Sequence, residues 1–164
     1  RGPTSAMKTL ILNSLALALA AAAPPLHAAD ATYIKDNKGC KIANPTPKPK
    51  ETVTWSGRCA GGFAQGKGIL QFYLDGKPGT RYEGELKKGA MEGRGELRTT
   101  DGAVYDGDWV AGKPDGYGKY TAPDGSSFVG GWTAGKQDGP GTLRNKDGSG
   151  AIGRWKDGQY VGPQ

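Results

Sequence analysis

Tyr105-Asp106-Gly107-Asp108-Trp109, then Gly112-Lys113-Pro114-Asp115-Gly116-Tyr117-Gly118, then Pro123-Asp124-Gly125: this stretch decides the fold. Tyr105, Gly107 and Trp109 alternate with Asp106 and Asp108, the period-two pattern of a strand with two unlike faces. Ala111 to Gly116, with glycine at both ends, reads as a turn, and Tyr117-Gly118-Lys119-Tyr120-Thr121 as the return strand. Pro123-Asp124-Gly125 turns the chain into a further hairpin. The opening block recurs every 23 residues as Tyr82-Glu83-Gly84-Glu85-Leu86, Phe128-Val129-Gly130-Gly131-Trp132 and a worn Ala151-Ile152-Gly153-Arg154-Trp155. An earlier copy begins at Trp55-Ser56-Gly57-Arg58-Cys59, and its step to Tyr82 is 27 residues. The four extra residues fall around Asp75-Gly76-Lys77-Pro78-Gly79, a strong turn composition. Units of this length cannot bury their apolar face alone, so stacked copies must share one core.

Composition agrees with a thin, repetitive sheet. Of 164 residues only 35 % are hydrophobic, while 29 are glycine, against a usual glycine share of roughly 7 %. Periodic glycine signals a repeated backbone need, either a turn or the close approach of a large side chain. Gly84, Gly93, Gly107, Gly116, Gly130 and Gly139 are read as repeat turn glycines. On the alternation, Tyr105, Trp109 and Tyr120 share one face with Gly107, Gly116 and Gly118, and Asp106, Asp108 and Lys119 lie on the other. Stacking the copies joins Tyr82, Tyr105, Trp109, Tyr120, Phe128, Trp132 and Trp155 into an aromatic stripe. The stripe has two readings: the core of the array, or a platform for stacking sugars, peptides or lipid. The carboxylates Glu83, Glu85, Asp106, Asp108, Asp115 and Asp138 recur at repeat positions facing solvent, an arrangement unlike a convergent catalytic pair.

The N-terminal part reads differently. Residues 1–6 precede Met7 and are set aside as an upstream extension or scar. Met7-Lys8-Thr9, the mostly apolar run Leu10 to Ala23, and Ala28 and Ala29 after Pro24-Pro25 form a signal peptide over 7–28. Its 14-residue apolar run is shorter than the ~20 residues of a stable span. Removing residues 1–28 takes Arg1 and Lys8 from the 22 basic residues and none of the 16 acidic ones, leaving a net charge near +4. The charges are interleaved, which argues against a nucleic-acid face. The only histidine, His27, falls in the removed segment, which excludes a Ser-His-Asp triad, a Cys-His pair and a His-ligated metal from the remainder. Residues 29–52 are expected to be an irregular arm, poorly ordered from Asp30 to Lys38, with prolines at 45, 47 and 49 that forbid helix and inner strand. The repeat domain then runs over 53–162, with copies from 55, 82, 105 and 128 and a partial copy from 151.

These blocks resemble MORN repeats. The family pattern is roughly Tyr-x-Gly-x-Trp, Gly-Lys-x-x-Gly-x-Gly and an Asp-Gly turn. The copy from Tyr105 matches in full, and the copy from Phe128 nearly so through Gly135-Lys136-Gln137-Asp138-Gly139-Pro140-Gly141. The copy from Tyr82 departs from it with Leu86 for tryptophan and Lys88-Gly89-Ala90 for Gly-Lys. The segment from Gly39-Cys40-Lys41 to Cys59 resembles the opening segment of exported bacterial MORN proteins. The resemblance implies an all-β, elongated, single-layer antiparallel sheet of tandem hairpins, preceded by the signal helix and the arm. It also implies scaffolding or membrane association without catalysis by the repeat.

Cys40 and Cys59 are the only cysteines, and an even count in an exported chain points to a disulfide that ties the arm to the first hairpin. The Asp-x-Asp and Asp-Gly groups lack the twelve-residue loop of a calcium site, and the glycines at 112, 116 and 118 neither follow a buried strand nor open a helix. No metal or other cofactor is expected. The expectation is an exported, periplasmic or secreted, non-enzymatic scaffold with a protein partner in the cell envelope. The alternative is an anionic lipid or cell-wall glycan module working through the aromatic stripe. Nucleic acid is not an expected partner, and nothing in these features encodes an oligomeric state.

Overall fold

The computed structural model describes residues 32–164; the signal segment expected at 7–28 lies outside the described residues. The described chain is all-β, one open sheet of thirteen strands. In chain order these are β1 Tyr33–Lys35, β2 Lys41–Ala43, β3 Glu51–Trp55, β4 Arg58–Ala60, β5 Phe63–Leu74, β6 Lys77–Lys87, β7 Ala90–Arg98, β8 Val104–Val110, β9 Lys113–Thr121, β10 Ser127–Thr133, β11 Lys136–Arg144, β12 Gly150–Lys156 and β13 Gln159–Gly162. From β5 onward each strand pairs antiparallel with the next in sequence. On the other side of β5 lie β3 and β4, one block opening broken at Ser56 and Gly57, and a single parallel pair joins Lys41 to Phe63.

Two alternating connections build the array. Within a copy the strands turn over two residues, Lys88-Gly89, Ala111-Gly112, Ala134-Gly135 and Asp157-Gly158, all with positive φ. Positive φ at both positions is the requirement of the tight hairpin turn that matches strand twist. The return strand therefore starts at Lys113, and the longer turn expected over Ala111 to Gly116 shrinks to two residues. Between copies the chain uses five-residue loops closed by backbone bonds, such as Ala122 N–H to Ser126 O at 2.8 Å and Gly125 N–H to Ala122 O at 3.0 Å. The Asp124 carboxylate accepts from the Ser126 hydroxyl and backbone and is held below the usual carboxylate range by them; Asp147 with Ser149 repeats this. Asp101 shows the same lowering through Thr99. The four extra residues of the first copy do not enlarge a loop. They lengthen β5 and β6, which meet at Asp75-Gly76, and β3 lies along the extension from Leu70 to Leu74.

The arm is more structured than its composition predicts. β1 and β2 form a hairpin over Asp36 to Cys40, with the same backbone closure as the inter-copy loops: Asp36 N–H to Cys40 O and Gly39 N–H to Asp36 O. Composition missed it because its core residues, Cys40 and Ile42, are few and are buried by distant parts of the chain. The proline run itself stays outside the strands, which resume at Glu51.

Candidate functional site

The inner face is built on a row of glycines. Gly68, Gly84, Gly95, Gly107, Gly118, Gly130, Gly141 and Gly153 lie opposite one another on successive strands from β5 to β12. Aromatic rings lie flat over them. A Cβ on Gly107 would stand 2.7 Å from the Tyr105 hydroxyl, and one on Gly141 would clash with the Phe128 ring. Gly84, Gly107 and Gly130 are therefore mid-strand positions, not turn glycines. Gly93, Gly116 and Gly139 also sit within strands, with φ of 63°, 117° and 99°, at a bulge repeated in every copy. There Asp108 alone opposes Asp115 to Tyr117, since the register steps from Gly107–Gly118 to Trp109–Pro114. Glycine takes the left-handed place that such a bulge requires. The bulge also puts Gly116 at the surface, away from the buried face it was expected to share with Tyr120.

The bulge explains why these aromatics carry polar handles. It interrupts the ladder beside the fourth block residue, and the first block residue reaches that carbonyl. The Tyr82 hydroxyl donates to Glu85 O at 3.0 Å, the Tyr105 hydroxyl to Asp108 O at 3.1 Å, and Trp55 Nε1 to Arg58 O at 2.9 Å. Trp109 Nε1 donates to Gly95 O at 3.0 Å and Trp132 Nε1 to Gly118 O at 3.1 Å, each bonding back into the preceding copy. The rings meet edge to face in one continuous series: Tyr82, Trp109, Tyr105, Trp132, Phe128, Trp155 and Tyr160, with centroids 5.0–5.6 Å apart. Each tryptophan bridges the aromatic of its own copy and that of a neighbour, the preferred geometry for such rings. The seven stripe residues expected from the sequence, Tyr120 included, are 0–5 % exposed. No ring of this stripe is left open to stack on a ligand.

Burial has a titration consequence. The Tyr82 hydroxyl is pushed up to about 12, chiefly by burial; the charges of Glu85 and Glu92 add to this, while hydrogen bonds to their carbonyls oppose it. Tyr105 is raised further still, by burial and then by the charge of Asp108. An unfolded tyrosine titrates near ~10, so the native state holds these protons more tightly. The stability is fully present below pH ~10 and is lost as pH rises through the folded values. Urea unfolding at pH 8 and pH 11 is expected to show a marked loss in the parent protein and a smaller one in the Tyr82→Phe/Tyr105→Phe variant. Phe128 already occupies the same position in the next copy, so the substitution suits the site.

At the first copy the tryptophan position is Cys59, and Cys59 is joined to Cys40 with Cα atoms 5.6 Å apart. The bridge fastens the β1–β2 hairpin over the end of the aromatic series. Lys38 completes the closure, donating through Nζ to Trp55 O at 2.6 Å and Gly57 O at 3.1 Å. A lysine laid on edge carbonyls is one way of blunting a free strand edge. Asp36 orders the turn, accepting from Lys38 N–H and Cys40 N–H at 2.9 Å each. Neither stands out in the sequence: Asp36 acts on the backbone of its own turn, and Lys38 acts on carbonyls 17 and 19 residues further on that only the fold brings near. The bridge spans 19 residues, so the Cys40→Ala/Cys59→Ala variant is expected to lose about 2–3 kcal/mol in denaturant titration.

The 23-residue unit, its glycine-borne aromatic and its bulge are now all in place. Residues 82–104, 105–127 and 128–150 each match the MORN repeat. This is a MORN-repeat protein. No curated protein matches the chain. MORN repeats are a non-catalytic family of modules that generally mediate protein or membrane-lipid interactions. The MORN copies leave one broad surface, the outer face. On β6 to β8 it is a mesh of paired charges: Arg81–Glu83 at 2.9 Å, Arg98–Glu96 at 2.6 Å and Arg94–Asp106 at 3.4 Å. Other carboxylates cap backbone. Asp108 accepts from Tyr117 N–H at 2.9 Å, and Glu92 and Asp115 each accept at 3.1 Å from Ala111 and Ala134, the positive-φ residues of the next turns. Asp138 pairs with Lys156 at 2.8 Å.

Proposed function

We propose that this MORN-repeat protein is an exported, non-enzymatic scaffold that presents an extended β surface to a protein partner in the cell envelope. The observation that carries the reading is the division of labour between the faces. The inner face is spent on the protein's own core, and the outer face, carried on successive paired strands, is left to solvent with its first end bridged and capped. The disulfide accords with an oxidising compartment. Most named carboxylates already cap turns or hold cations, which supports a non-catalytic role. Anionic lipid or glycan binding through the aromatic stripe is the weaker reading, because its rings are covered.

The test uses immobilised folded protein and, as control bait, the same protein reduced and unfolded in urea and then washed. A discrete set of envelope proteins is expected on the folded bait alone. Equal capture by both baits would overturn the reading.

A further inference from the structure

The copies act as internal controls for one another. In the copies from 82, 105, 128 and 151 the second block residue points outward, and it is Glu83, Asp106, Val129 and Ile152 in turn. The fold accepts a carboxylate there, since two copies carry one. Nothing in the array therefore demands an aliphatic group in the other two. Yet Ile152 is 68 % exposed, and the partly exposed Val129 lies two strands away in the same row, across Thr142. Tyr117, 59 % exposed on β9, stands diagonal to Val129, and Pro140 on β11 lies beside Ile152's strand. Single exposed aliphatics in strands are ordinary. In this row Ile69 on β5 is also exposed, but it stands alone beside Glu83; the grouping of Tyr117, Val129, Pro140 and Ile152 around Thr142 on β9–β12 marks a contact surface.

Charge then selects the partner. On β6 to β8 the arginines are consumed by neighbouring carboxylates. Around the aliphatic patch, Arg144 and Arg154 have no ion-pair partner among the described residues, and Lys119 faces an Asp106 already held by Arg94. The patch thus offers aliphatic surface set among unneutralised cations. Of the hairpin tips beside it, Ala134-Gly135 and Asp157-Gly158 carry no large apolar side chain, and Ala111-Gly112 is flanked by one exposed valine, Val110, set opposite Lys113, which is too little apolar surface to insert into a bilayer. That favours a polypeptide over a membrane. We propose that the outer face of β9–β12, centred on Val129 and Ile152, docks an acidic protein segment with aliphatic side chains on one face. This rests on the protein-binding reading above and gives it a location and a partner chemistry.

The test is titration of the ¹⁵N-labelled oxidised protein with an eight-residue peptide alternating glutamate and valine. A lysine-for-glutamate peptide and phosphatidylglycerol vesicles serve as competing probes. Shifts confined to β9–β12 with the acidic peptide are expected. They should weaken at least ten-fold in Val129→Glu/Ile152→Glu and stay unchanged in Glu83→Val. The double variant places carboxylates where Glu83 and Asp106 already stand, so it should fold, and amide dispersion verifies this. Absence of binding, equal binding of the lysine peptide, binding of vesicles alone, or undiminished binding by the folded double variant would each overturn the proposal. Should folded bait still capture envelope proteins when the peptide fails, the scaffold reading stands and only this face is wrong.

Discussion

Gly107→Ala is expected to destabilise the protein by about 3 kcal/mol or more, the upper end of the cost of forcing extra volume into a packed core. The new Cβ would stand 2.5 Å from Gly118 Cα, 2.6 Å from Tyr117 O and 2.7 Å from the Tyr105 hydroxyl. Two of these three neighbours are backbone in the facing strand, so relief requires the ladder itself to spread. Spreading would lift Tyr105 from its carbonyl and loosen the tryptophans on either side of it. Ordinarily, exchanging glycine for alanine in extended backbone stabilises slightly, by lowering the entropy of the unfolded chain; here contact decides the sign. Gly125→Ala is the control. Its Cβ would meet nothing within 4 Å, and only its φ of +90° opposes it, a cost nearer ~1 kcal/mol. Thermal unfolding should separate the two clearly, with a fall of roughly 10 °C or more for Gly107→Ala. Equal, small effects at both sites would mean that the glycine row is not the close-packed seam described.

Trp109→Ala should cost about 4 kcal/mol, within the range for deleting a buried aromatic. The side chain is 1 % exposed and touches Tyr82 and Tyr105 edge to face at 5.6 and 5.0 Å. It is the tie between the copies that start at 82 and 105, and its loss also leaves Gly95 O without its 3.0 Å donor. Trp109→Phe keeps much of the packing and loses the donor, so a smaller loss of about 1–2 kcal/mol is expected. Denaturant titration checks both. The copy from Tyr82 already carries Leu86 at this position, buried to 0 %, which shows that an aliphatic can fill the site where the neighbouring copy is built for it. Substitutions of these tryptophans therefore report on folding, and binding is better probed at the outer face.

Much of the fold could be read from spacing. Tyr105, Gly107 and Trp109 announce a strand with one aromatic face because period two is a local property, and the 23-residue step announces stacking. What spacing could not reveal was the use of each glycine. Gly107, which lies under a ring, and Gly116, which bends a bulge, look alike in sequence, as does Gly112, which turns a hairpin. They differ only in what lies opposite. The β1–β2 hairpin was hidden for a related reason: Cys40 and Ile42 become core only when β5 and the Gly89 turn come to meet them.

The candidate binding surface follows the same division. From the sequence, the aromatic stripe was the conspicuous feature, and it read either as the core of the array or as a ligand platform. Val129 and Ile152 are inconspicuous in the sequence, since isolated aliphatics in strands are common. Sequence alone determined the repeat, its strand-turn-strand unit, the amphipathic alternation and the pairing of the two cysteines, because all of these follow from chain-local periodicity or from counting. Only the tertiary structure decided that the aromatic face is closed and the charged face open. Burial depends on the bulge and the register, which slide each tryptophan over a neighbouring copy's ring, and register is a property of paired strands that the spacing along one of them does not carry.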